Sequence, residues 1–445
     1  PSTIAEALAG PDAEHWKKAM EQEMEGQRTK GTFHEGEKGV NYFGTFSPVV
    51  GFDLIRAVLA TAGNRNLIIN SLDFTQAHLN APVPEDVWLQ LPNGSIVKAA
   101  RAIYGLEQSA MEWYKELKVT ILAEGWRVTD FEACLYVKRS EDGRIAVLFH
   151  YVDDISLTGN FLEEIKRMKS TLLTKYEGRD LGTPDKLVGV AITRDEPGIT
   201  LDQHFYAESI VREGMRSTEL RSTSSPLSPG MDLTARRTDE EELDQRYKPY
   251  RTILGKLMFL AGTTRPDLSN SVRELGRYAA SPCDRYWRGL QHVLRYLAGT
   301  TKVGIDYPAG GEMDNGGLVG YGDSDWGNDI ASRRRIQGAV TTSSSEVEWT
   351  AVMHGMRHAI FLRAILGELG ILKGVTVWYG DNRGAIQAAT TEGFNGRTRH
   401  VDIKLKCTEE YVSKGQFTVK YIPMTLQLAE ILTKTLRKKQ VEDFV

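Results

Sequence analysis

The sequence predicts an α+β domain, then a helical region, then an α/β domain, and three observations support this order. Two apolar runs flank Ser-Glu-Asp-Gly at residues 140–143, which is typical of a β-hairpin with Asp-Gly in its turn. Residues 246–300 have a helical pattern of apolar residues. After a glycine-rich break at residues 307–317, strand and helix patterns alternate, which indicates an α/β layer. A chain of 445 residues has room for about three domains.

The composition is that of a globular protein. Apolar residues make up 41% and charged residues 26% of the chain, which excludes wholesale disorder. The three cysteines, Cys134, Cys283 and Cys407, lie far apart, which excludes a disulfide framework and a cysteine-rich zinc module. The apolar runs are too short to span a membrane, and no signal peptide is recognisable. We therefore expect an intracellular protein, in a cytoplasmic particle or the nucleus and not secreted. Because the chain starts with Pro1 and not with methionine, we expect it to be a fragment or a piece cut from a longer precursor.

The charge is nearly balanced. The chain has 55 basic and 59 acidic residues, which gives a net charge of -4. Taken alone, this argues against a nucleic-acid binder, because phosphate contacts require lysine and arginine. Basic residues are nevertheless concentrated in residues 391–440 and 333–335, and charge alone favours a solvated surface at each cluster.

The predicted elements begin near the N-terminus. Residues 12–27 are predicted to be helical, with Asp12 as the N-cap. Apolar side chains recur every four residues on one face, at Trp16, Met20 and Met24. A second helix is predicted after Pro48, and a strand at residues 67–72. Residues 222–230 are rich in proline and serine, and together with the charged, apolar-poor residues that follow up to Gln245 they are predicted to be a linker.

Two adjacent aspartates, Asp153 and Asp154, lie at the tip of an apolar hairpin, with the apolar residues 145–149 before them and Ile155 and Leu157 after them. Burial disfavours their ionised forms and their charges repel, and a bound divalent cation would remove both penalties. Asp73 ends another apolar strand, and pairing of the strands side by side would bring the three carboxylates together. Such a set can hold two magnesium ions about 4 Å apart for phosphoryl transfer. The alternative is an ordinary Asp-Asp turn, with Asp73 as a strand-end residue.

A second set of carboxylates occurs towards the C-terminus. Asp323 and Asp325 end an apolar strand, and Asp381 follows another. Glu348 opens a long amphipathic helix. Parallel strands that end in carboxylates, with a helix supplying another, can bring four acids to one sheet edge, which suits two-metal hydrolysis. As alternatives, Glu348 completes a capping box with Ser345, Asp325 is a turn acid, and Asp381 caps the following helix.

Taken together, these motifs resemble the Pol region of copia-type LTR retrotransposons, in which a reverse transcriptase is followed by RNase H. The matching segments run along almost the whole chain in the order of the family. The first are Thr45-Phe46-Ser47-Pro48-Val49-Val50, Asp73-Phe74, Ile103-Tyr104-Gly105-Leu106-Glu107-Gln108-Ser109, Trp113-Tyr114, Tyr151-Val152-Asp153-Asp154 and Thr158-Gly159-Asn160. Further on come Asp180-Leu181-Gly182, Tyr250-Arg251, Arg265-Pro266-Asp267 and Arg295-Tyr296-Leu297 with Gly299-Thr300.

The resemblance implies a right-hand polymerase palm with truncated fingers and the start of a thumb, a helical connection, and an α/β RNase H-like domain. These would occupy residues 1–220, 221–312 and 313–445. Asp73, Asp153 and Asp154 would bind Mg²⁺, two ions per active site, or Mn²⁺. The residues implied to contact nucleotide or template are Phe74, His78, Tyr104, Gly105, Gln108 and Tyr151. The implied partners are an RNA template, a DNA primer, an RNA–DNA hybrid and dNTPs, with no membrane and no defined oligomeric state.

The resemblance also orders the second set of carboxylates. Asp323, Glu348 and Asp381 match the first three RNase H carboxylates, which would hold two further magnesium ions. The fourth falls in a segment in which this chain has Glu430 instead of aspartate, one methylene longer. Asp402 is the rival candidate, and its place at the head of a predicted helix favours a cap.

The chain also departs from the family. Only twelve residues separate Phe33 from Phe46, where the family has a longer fingers segment whose cations grip the nucleotide phosphates. Without them, the transferring phosphate would be poorly stabilised. A strand and hairpin are missing between Gly338 and Ser345. Family residues are also replaced at three single positions, His78, Glu107 and Ala110.

These departures predict a degenerate copy or a defective gene model, with weak or no polymerase activity. The alternative hypothesis is a non-catalytic nucleic-acid-binding or scaffold protein that reuses the fold.

Overall fold

The computed structural model describes residues 47–310, 318–322, 344–372, 374–381 and 411–434, except for 84–86, 91–93, 107, 196–197, 216–220, 229 and 245–247. It also describes residues 13–15, 17–18, 33–35, 383 and 386. The chain forms two units. Unit 1 consists of Pro1–Ile55 and Leu67–Pro184, and unit 2 of Arg56–Asn66 and Asp185–Val445. The domains predicted from the sequence stay a prediction.

Unit 1 contains two sheets. In chain order the elements are β1 (Phe33–Glu35), α1 (Phe52–Asn64, whose later residues belong to unit 2), β2 (Ile68–Phe74), β3 (Trp88–Gln90), β4 (Ile96–Ala99), α2 (Ser109–Ala123), β5 (Arg127–Val128), β6 (Leu135–Arg139), β7 (Ile145–Tyr151), β8 (Asp154–Gly159), α3 (Leu162–Lys175) and β9 (Gly178–Gly182). The large sheet is antiparallel in the order β5-β6-β7-β8-β2-β9, and the small one has the order β1-β4-β3.

One face of the large sheet is covered by α2 and α3. The sheet contributes Leu72, Phe74, Leu148, Ile155 and Leu157 to this core, and the helices contribute Trp113, Leu117, Ile121, Ile165, Met168 and Leu172. The helical residues recur at intervals of three and four, which places them on one stripe of each helix. Residues next to each other on β2 alternate between the two faces, so Leu72 and Phe74 face the helices while Asp73 lies on the opposite face.

The end of β8 requires a glycine. Gly159 has a φ of +138°, and a Cβ atom added there would lie 2.2 Å from the carbonyl oxygen of Ile145. The same oxygen accepts hydrogen bonds from the amides of Asn160 and Phe161, at 3.0 and 3.1 Å. The backbone at the end of β8 therefore packs directly against the start of β7, immediately before α3 begins.

The local predictions for unit 1 are confirmed with small shifts. β6 and β7 flank the turn at residues 140–143, and β2 covers the strand predicted at residues 67–72. The helix predicted after Pro48 begins at Phe52. Of the helix predicted at residues 12–27, the described positions 13–15 and 17–18 are helical.

Cys134 lies in this sheet region and is fully buried. Its thiol donates a hydrogen bond to the carbonyl oxygen of Pro48, with 3.3 Å between sulfur and oxygen. Burial raises the pKa of Cys134 to about 12. The thiol is therefore protonated and inert in the folded unit.

The first part of unit 2 combines a four-stranded antiparallel sheet with four helices. They are β10 (Lys186–Leu187), β11 (Val190–Asp195), β12 (Gly198–Asp202), α4 (His204–Gly214), α5 (Tyr250–Thr263), α6 (Ser269–Gly276), α7 (Asp284–Gly299) and β13 (Ile305–Pro308). The helices share one core, to which α7 contributes Tyr286, Leu290, Val293, Leu294 and Leu297. The helical region predicted up to residue 300 is confirmed.

A buried ion pair lies beside this core. Arg265 donates two hydrogen bonds to the Asp267 carboxylate, at 2.9 and 2.7 Å, and a third to the Thr300 carbonyl at 2.6 Å. The Tyr296 hydroxyl donates to Asp267 at 2.9 Å. These bonds compensate the cost of burying both charges.

The segment predicted to be a linker contains neither helix nor strand among its described residues, but it is not loose. Arg285 of α7 forms ion pairs with Asp232 and Glu240, both at 2.8 Å. The Tyr286 hydroxyl donates to the Thr234 carbonyl at 2.8 Å. These contacts fasten the segment along α7, which composition alone did not predict.

The last part of unit 2 contains a parallel sheet in the order β14-β15-β16, with β14 (Val319–Gly322), α8 (Ser344–Glu368), β15 (Thr376–Gly380) and β16 (Phe417–Tyr421), followed by the short helix α9 (Glu430–Thr433). Trp378 of β15 packs in a core with Met356 and Phe417. A Cβ atom on Gly355 would lie 2.1 Å from the Trp378 ring, so this glycine lets α8 approach the sheet. The predicted α/β alternation is confirmed.

No helix among the described residues is both long and apolar enough to cross a membrane.

Candidate active site

Four side chains form a row across one face of the large sheet in unit 1. Asp154 on β8 lies directly opposite Tyr151 on β7 and Asp73 on β2, and Asp73 lies directly opposite Arg179 on β9. Residues directly opposite each other in antiparallel strands share a face and have neighbouring Cβ atoms. The prediction that the Asp73 strand lies beside the Asp153-Asp154 hairpin is therefore confirmed.

Asp73 is paired with a cation. The Arg179 guanidinium lies 2.6 Å from the Asp73 carboxylate, and the two side chains are 74% and 39% exposed. An ion pair this exposed contributes little to stability. Its main effect is to place one positive charge at the end of a row of carboxylates.

The tip of the hairpin is a two-residue turn of Val152 and Asp153. Val152 has a φ of +57°, a left-handed conformation that is costly for a β-branched residue. Its carbonyl oxygen accepts a hydrogen bond from the indole Nε1–H of Trp113, at 2.9 Å. Trp113 belongs to α2, so this helix holds the turn that presents Asp153.

Trp113 is itself enclosed by aromatic rings. Its ring lies edge-on to Phe74 at 5.9 Å and to Tyr176 at 5.1 Å, measured between ring centroids. Phe74 and Tyr176 are also in edge contact, at 5.8 Å. Phe74 follows Asp73 directly, so the three rings connect the strand of Asp73 with the turn of Asp153.

A short 3₁₀ helix after β2, Ala77–Asn80, brings His78 to the same region. His78 is buried, and its ring centroid lies 4.6 Å from that of Tyr104. Burial lowers the pKa of His78, and the nearby negative charge of Asp153 partly opposes this effect. His78 thus lies close to the carboxylates, as its assignment to nucleotide binding requires.

Gln108, at the start of α2, is almost fully buried. Within the part of the chain that the structure describes, neither of its amide atoms has a hydrogen-bond partner, and the same holds for Nδ1 of His78. Buried polar groups without partners are costly and call for an explanation such as a bound molecule. Gly105, with a φ of +94°, turns the chain between Tyr104 and Gln108.

His150 lies one residue before Tyr151 and was not predicted as a site residue. It is buried between the rings of Tyr114 and Tyr136, at centroid distances of 5.9 and 6.0 Å. Burial lowers the pKa of His150 to about 4. The imidazole is therefore neutral beneath the hairpin at physiological pH.

The second set of carboxylates is described only in part. Asp381 follows β15, and the parallel register places Gly380 opposite Gly322, the last residue of β14. Asp323, which follows Gly322, lies outside the described residues, as do Asp325, Asp402 and Glu107. Glu348 belongs to α8, and the conformation of its side chain is not described.

Glu430 begins α9 and is buried, and its carboxylate pairs with Lys434 at 2.9 Å. Gln427, three residues earlier, is fully buried and donates from Nε2 to the Gly322 carbonyl at 3.0 Å. This bond ties the Glu430 segment to the end of β14, where Asp323 follows. Sequence reasoning missed Gln427, although it lies beside the segment that contains Glu430.

The two carboxylates of the row, Asp73 and Asp154, fit a hard divalent cation, because such ions prefer carboxylate oxygens as ligands. In the described part of the chain, however, no three acidic, histidine or cysteine side chains are close enough together to hold a metal ion. Arg179 engages the Asp73 carboxylate instead. Metal binding at Asp73 would require this ion pair to open.

Comparisons with known proteins find a reverse transcriptase family model and retrotransposon Pol polyproteins. The model of the family described as reverse transcriptase (RNA-dependent DNA polymerase) matches residues 18–229. The retrovirus-related Pol polyprotein from transposon TNT 1-94 of Nicotiana tabacum is 25% identical over 99% of this chain and 38% of its own length. The corresponding polyprotein from transposon RE2 of Arabidopsis thaliana is 30% identical over 91% of this chain and 29% of its own length. The chain thus spans about a third of the length of these relatives.

A solved structure of the foamy viral protease-reverse transcriptase in complex with dsDNA aligns with 92% of this chain and 83% of that one, with a TM-score of 0.48 and 12% identity. This likeness is too distant to support a functional statement. The family match includes every residue of the row, and the predicted reverse transcriptase fold is confirmed. Residues 18–229 therefore form a reverse transcriptase region of the copia-type retrotransposon family.

Proposed function

We propose that unit 1 catalyses template-directed DNA synthesis on an RNA or DNA template, with a DNA primer and dNTPs as substrates. The observation that carries this proposal is the register that places Asp154 directly opposite Asp73, beside the Asp153 turn. Three carboxylates at the edge of a hairpin are the arrangement that phosphoryl transfer by two magnesium ions requires.

Asp73, Asp153 and Asp154 would hold the two ions, Mg²⁺ or Mn²⁺. When bound, such ions lower the pKa of the attacking hydroxyl and stabilise charge on the leaving oxygen. Asp73 must then exchange its partner. The Arg179 guanidinium, 2.6 Å away and largely exposed, would be released towards the phosphates, for which its planar donors are suited.

The buried polar atoms of His78 and Gln108 support a nucleotide site next to the carboxylates. Nδ1 of His78 and both amide atoms of Gln108 lack hydrogen-bond partners among the described residues, and a nucleotide would offer donors and acceptors. The exposed ring of Tyr104 and the Tyr151 ring offer surfaces for stacking. Phe74 lies in the aromatic cluster beneath and supports the site from behind.

Primer extension on poly(rA)/oligo(dT) with magnesium tests this function. We expect weak synthesis, because the segment between Phe33 and Phe46 is too short to carry the family's phosphate-binding cations. Asp153→Asn should abolish this synthesis. Asp142→Asn, which changes an exposed aspartate in the turn between β6 and β7, is the matched control and should leave it intact. Synthesis that survives Asp153→Asn would contradict the proposal.

A non-catalytic nucleic-acid-binding function is the second candidate. The ion pair between Asp73 and Arg179 favours it, because Arg179 takes the place of a metal ion at Asp73. In that case no primer extension would be detected. The affinity for an RNA–DNA hybrid would be the same with and without magnesium, and the same in Asp153→Asn as in the wild-type protein.

We further propose that the last part of unit 2 cleaves RNA in RNA–DNA hybrids. Asp323, Glu348, Asp381 and Glu430 would hold two metal ions. The parallel ends of β14 and β15, and the bond from Gln427 to Gly322, support a shared edge. Magnesium-dependent cleavage of a labelled hybrid that is lost in Asp381→Asn is the expected result. Cleavage retained in that variant would contradict the assignment.

A further inference from the structure

We propose that Trp113 is a positioning residue, which sets the place of Asp153 and Asp154 through its hydrogen bond to Val152. The inference rests on the proposed polymerase function of unit 1. Trp113 is not in direct contact with the substrates in this proposal, because it is 1% exposed and lies beneath the hairpin.

The turn needs external support. At a φ of +57°, the side chain of Val152 crowds its own backbone, which is costly for a β-branched residue. Such a conformation persists only when surrounding contacts impose it. The bond from Trp113 Nε1–H to the Val152 carbonyl, at 2.9 Å, is a contact of this kind.

The donor is held in place from two sides. Phe74 and Tyr176 contact the Trp113 ring edge-on. The Tyr176 hydroxyl in turn hydrogen-bonds the Glu116 carboxylate at 3.1 Å, and Lys175 lies 2.8 Å from the same carboxylate. The indole therefore has little freedom to follow the turn if the turn relaxes.

The same cluster reaches the other carboxylate. Phe74 follows Asp73 on β2, so the ring that packs against Trp113 is fixed to the strand of Asp73. Asp73 and the Asp153-Asp154 turn are thus both attached to the same aromatic cluster, Asp73 through Phe74 and the turn through Trp113. Since displacements of about 1 Å can cost about 100-fold in rate, small changes in this cluster matter to catalysis.

The test compares two tryptophans of the same core. Trp113→Phe removes the indole donor and keeps an aromatic ring. Trp126→Phe is the matched control, because Trp126 is 3% exposed, belongs to the same core and donates its Nε1–H to Glu164 at 2.8 Å. Both changes remove one buried hydrogen bond, and only the first affects the turn.

The first measurement is hydrogen exchange at the amides of residues 150–156, which needs no catalytic activity. We expect exchange to become about tenfold faster in Trp113→Phe, because the strained turn loses the hydrogen bond that supports it. Trp126→Phe should leave exchange there unchanged. Equal exchange in the two variants would overturn the inference, even if the wild-type protein synthesises DNA.

The second measurement is the kinetics of primer extension. Trp113→Phe should lower kcat about tenfold and leave KM for the dNTP nearly unchanged, because the carboxylates shift while the nucleotide site stays. Val152→Gly added to Trp113→Phe should restore most of kcat, because glycine adopts a positive φ without strain. A fall in KM and kcat together, without rescue, would contradict a positioning role.

The two proposals can fail separately. If the wild-type protein synthesises no DNA but exchange rises only in Trp113→Phe, the polymerase function fails and the role of Trp113 in holding the turn stands.

Discussion

His150 shows how a single buried side chain makes the stability of unit 1 depend on pH. Its folded pKa of about 4 is below the ordinary value of 6.5, so the unfolded chain binds the proton more tightly. The contribution of neutral His150 to the free energy of unfolding is fully present above pH 6.5. It is lost as the pH falls from about 6.5 to 4, and the total loss is about 3 kcal/mol.

We therefore expect His150→Phe to flatten the loss of stability between pH 6.5 and 4, a window set by the pKa of His150. The measurement is urea unfolding of both proteins over that range, followed by the fluorescence of the buried tryptophans. Burial raises the pKa of Tyr136, whose ring stacks on His150, so this neighbour does not titrate in the same window. An identical slope in the variant would show that other groups carry the dependence.

At the scale of elements, the end of β8 depends on a position that accepts only glycine. Gly159→Ala would place a Cβ atom 2.2 Å from the Ile145 carbonyl at a φ of +138°. We expect a loss of about 3 kcal/mol or more, since both the clash and the backbone conformation must be relieved.

Gly143→Ala is the matched control for this change. Gly143 also has a positive φ, of +83°, but a Cβ atom there would meet nothing within 4 Å. Its cost should be about 1 kcal/mol, from backbone conformation alone. Similar unfolding midpoints for the two variants would show that the contact with Ile145 relaxes freely.

The elements also show what sequence could and could not predict. The β6–β7 hairpin was predictable, because its Asp-Gly turn and apolar strands are adjacent in the chain. Asp73, Asp153 and Asp154 were found for the same reason, as carboxylates at the ends of apolar runs. The position of Arg179 opposite Asp73 was not, because it depends on the pairing of strands 106 residues apart.

Trp113 illustrates a different gap. It was recognised as part of the Trp113-Tyr114 motif, but its role depends on the φ of Val152 and on the ring of Tyr176, which no local pattern reveals. Glu348 was placed on a helix by pattern and Glu430 was found through the family resemblance, whereas the bond from Gln427 to Gly322 appears only in the fold.

At the scale of the whole molecule, the two proposed sites belong to different units. Asp153 lies in unit 1 and Asp381 in unit 2. We expect Asp153→Asn to abolish primer extension and retain hybrid cleavage, and Asp381→Asn to do the reverse. Both activities are measured on the same preparation of each variant. Loss of both activities in either variant would argue against two independent sites.

The buried thiols Cys134 and Cys283 allow the opening rate of each unit to be measured by chemical modification. The Cys134 thiol, with a pKa of about 12, is protonated almost completely at neutral pH and is shielded from solvent. Alkylating reagents attack the thiolate, so the modification rate of Cys134 measures how often unit 1 opens. Cys283 is buried in the helical core of unit 2, and its modification rate measures the opening of that unit in the same sample. Peptide mass spectrometry separates the two rates, so the effect of any variant can be assigned to one unit without an activity assay.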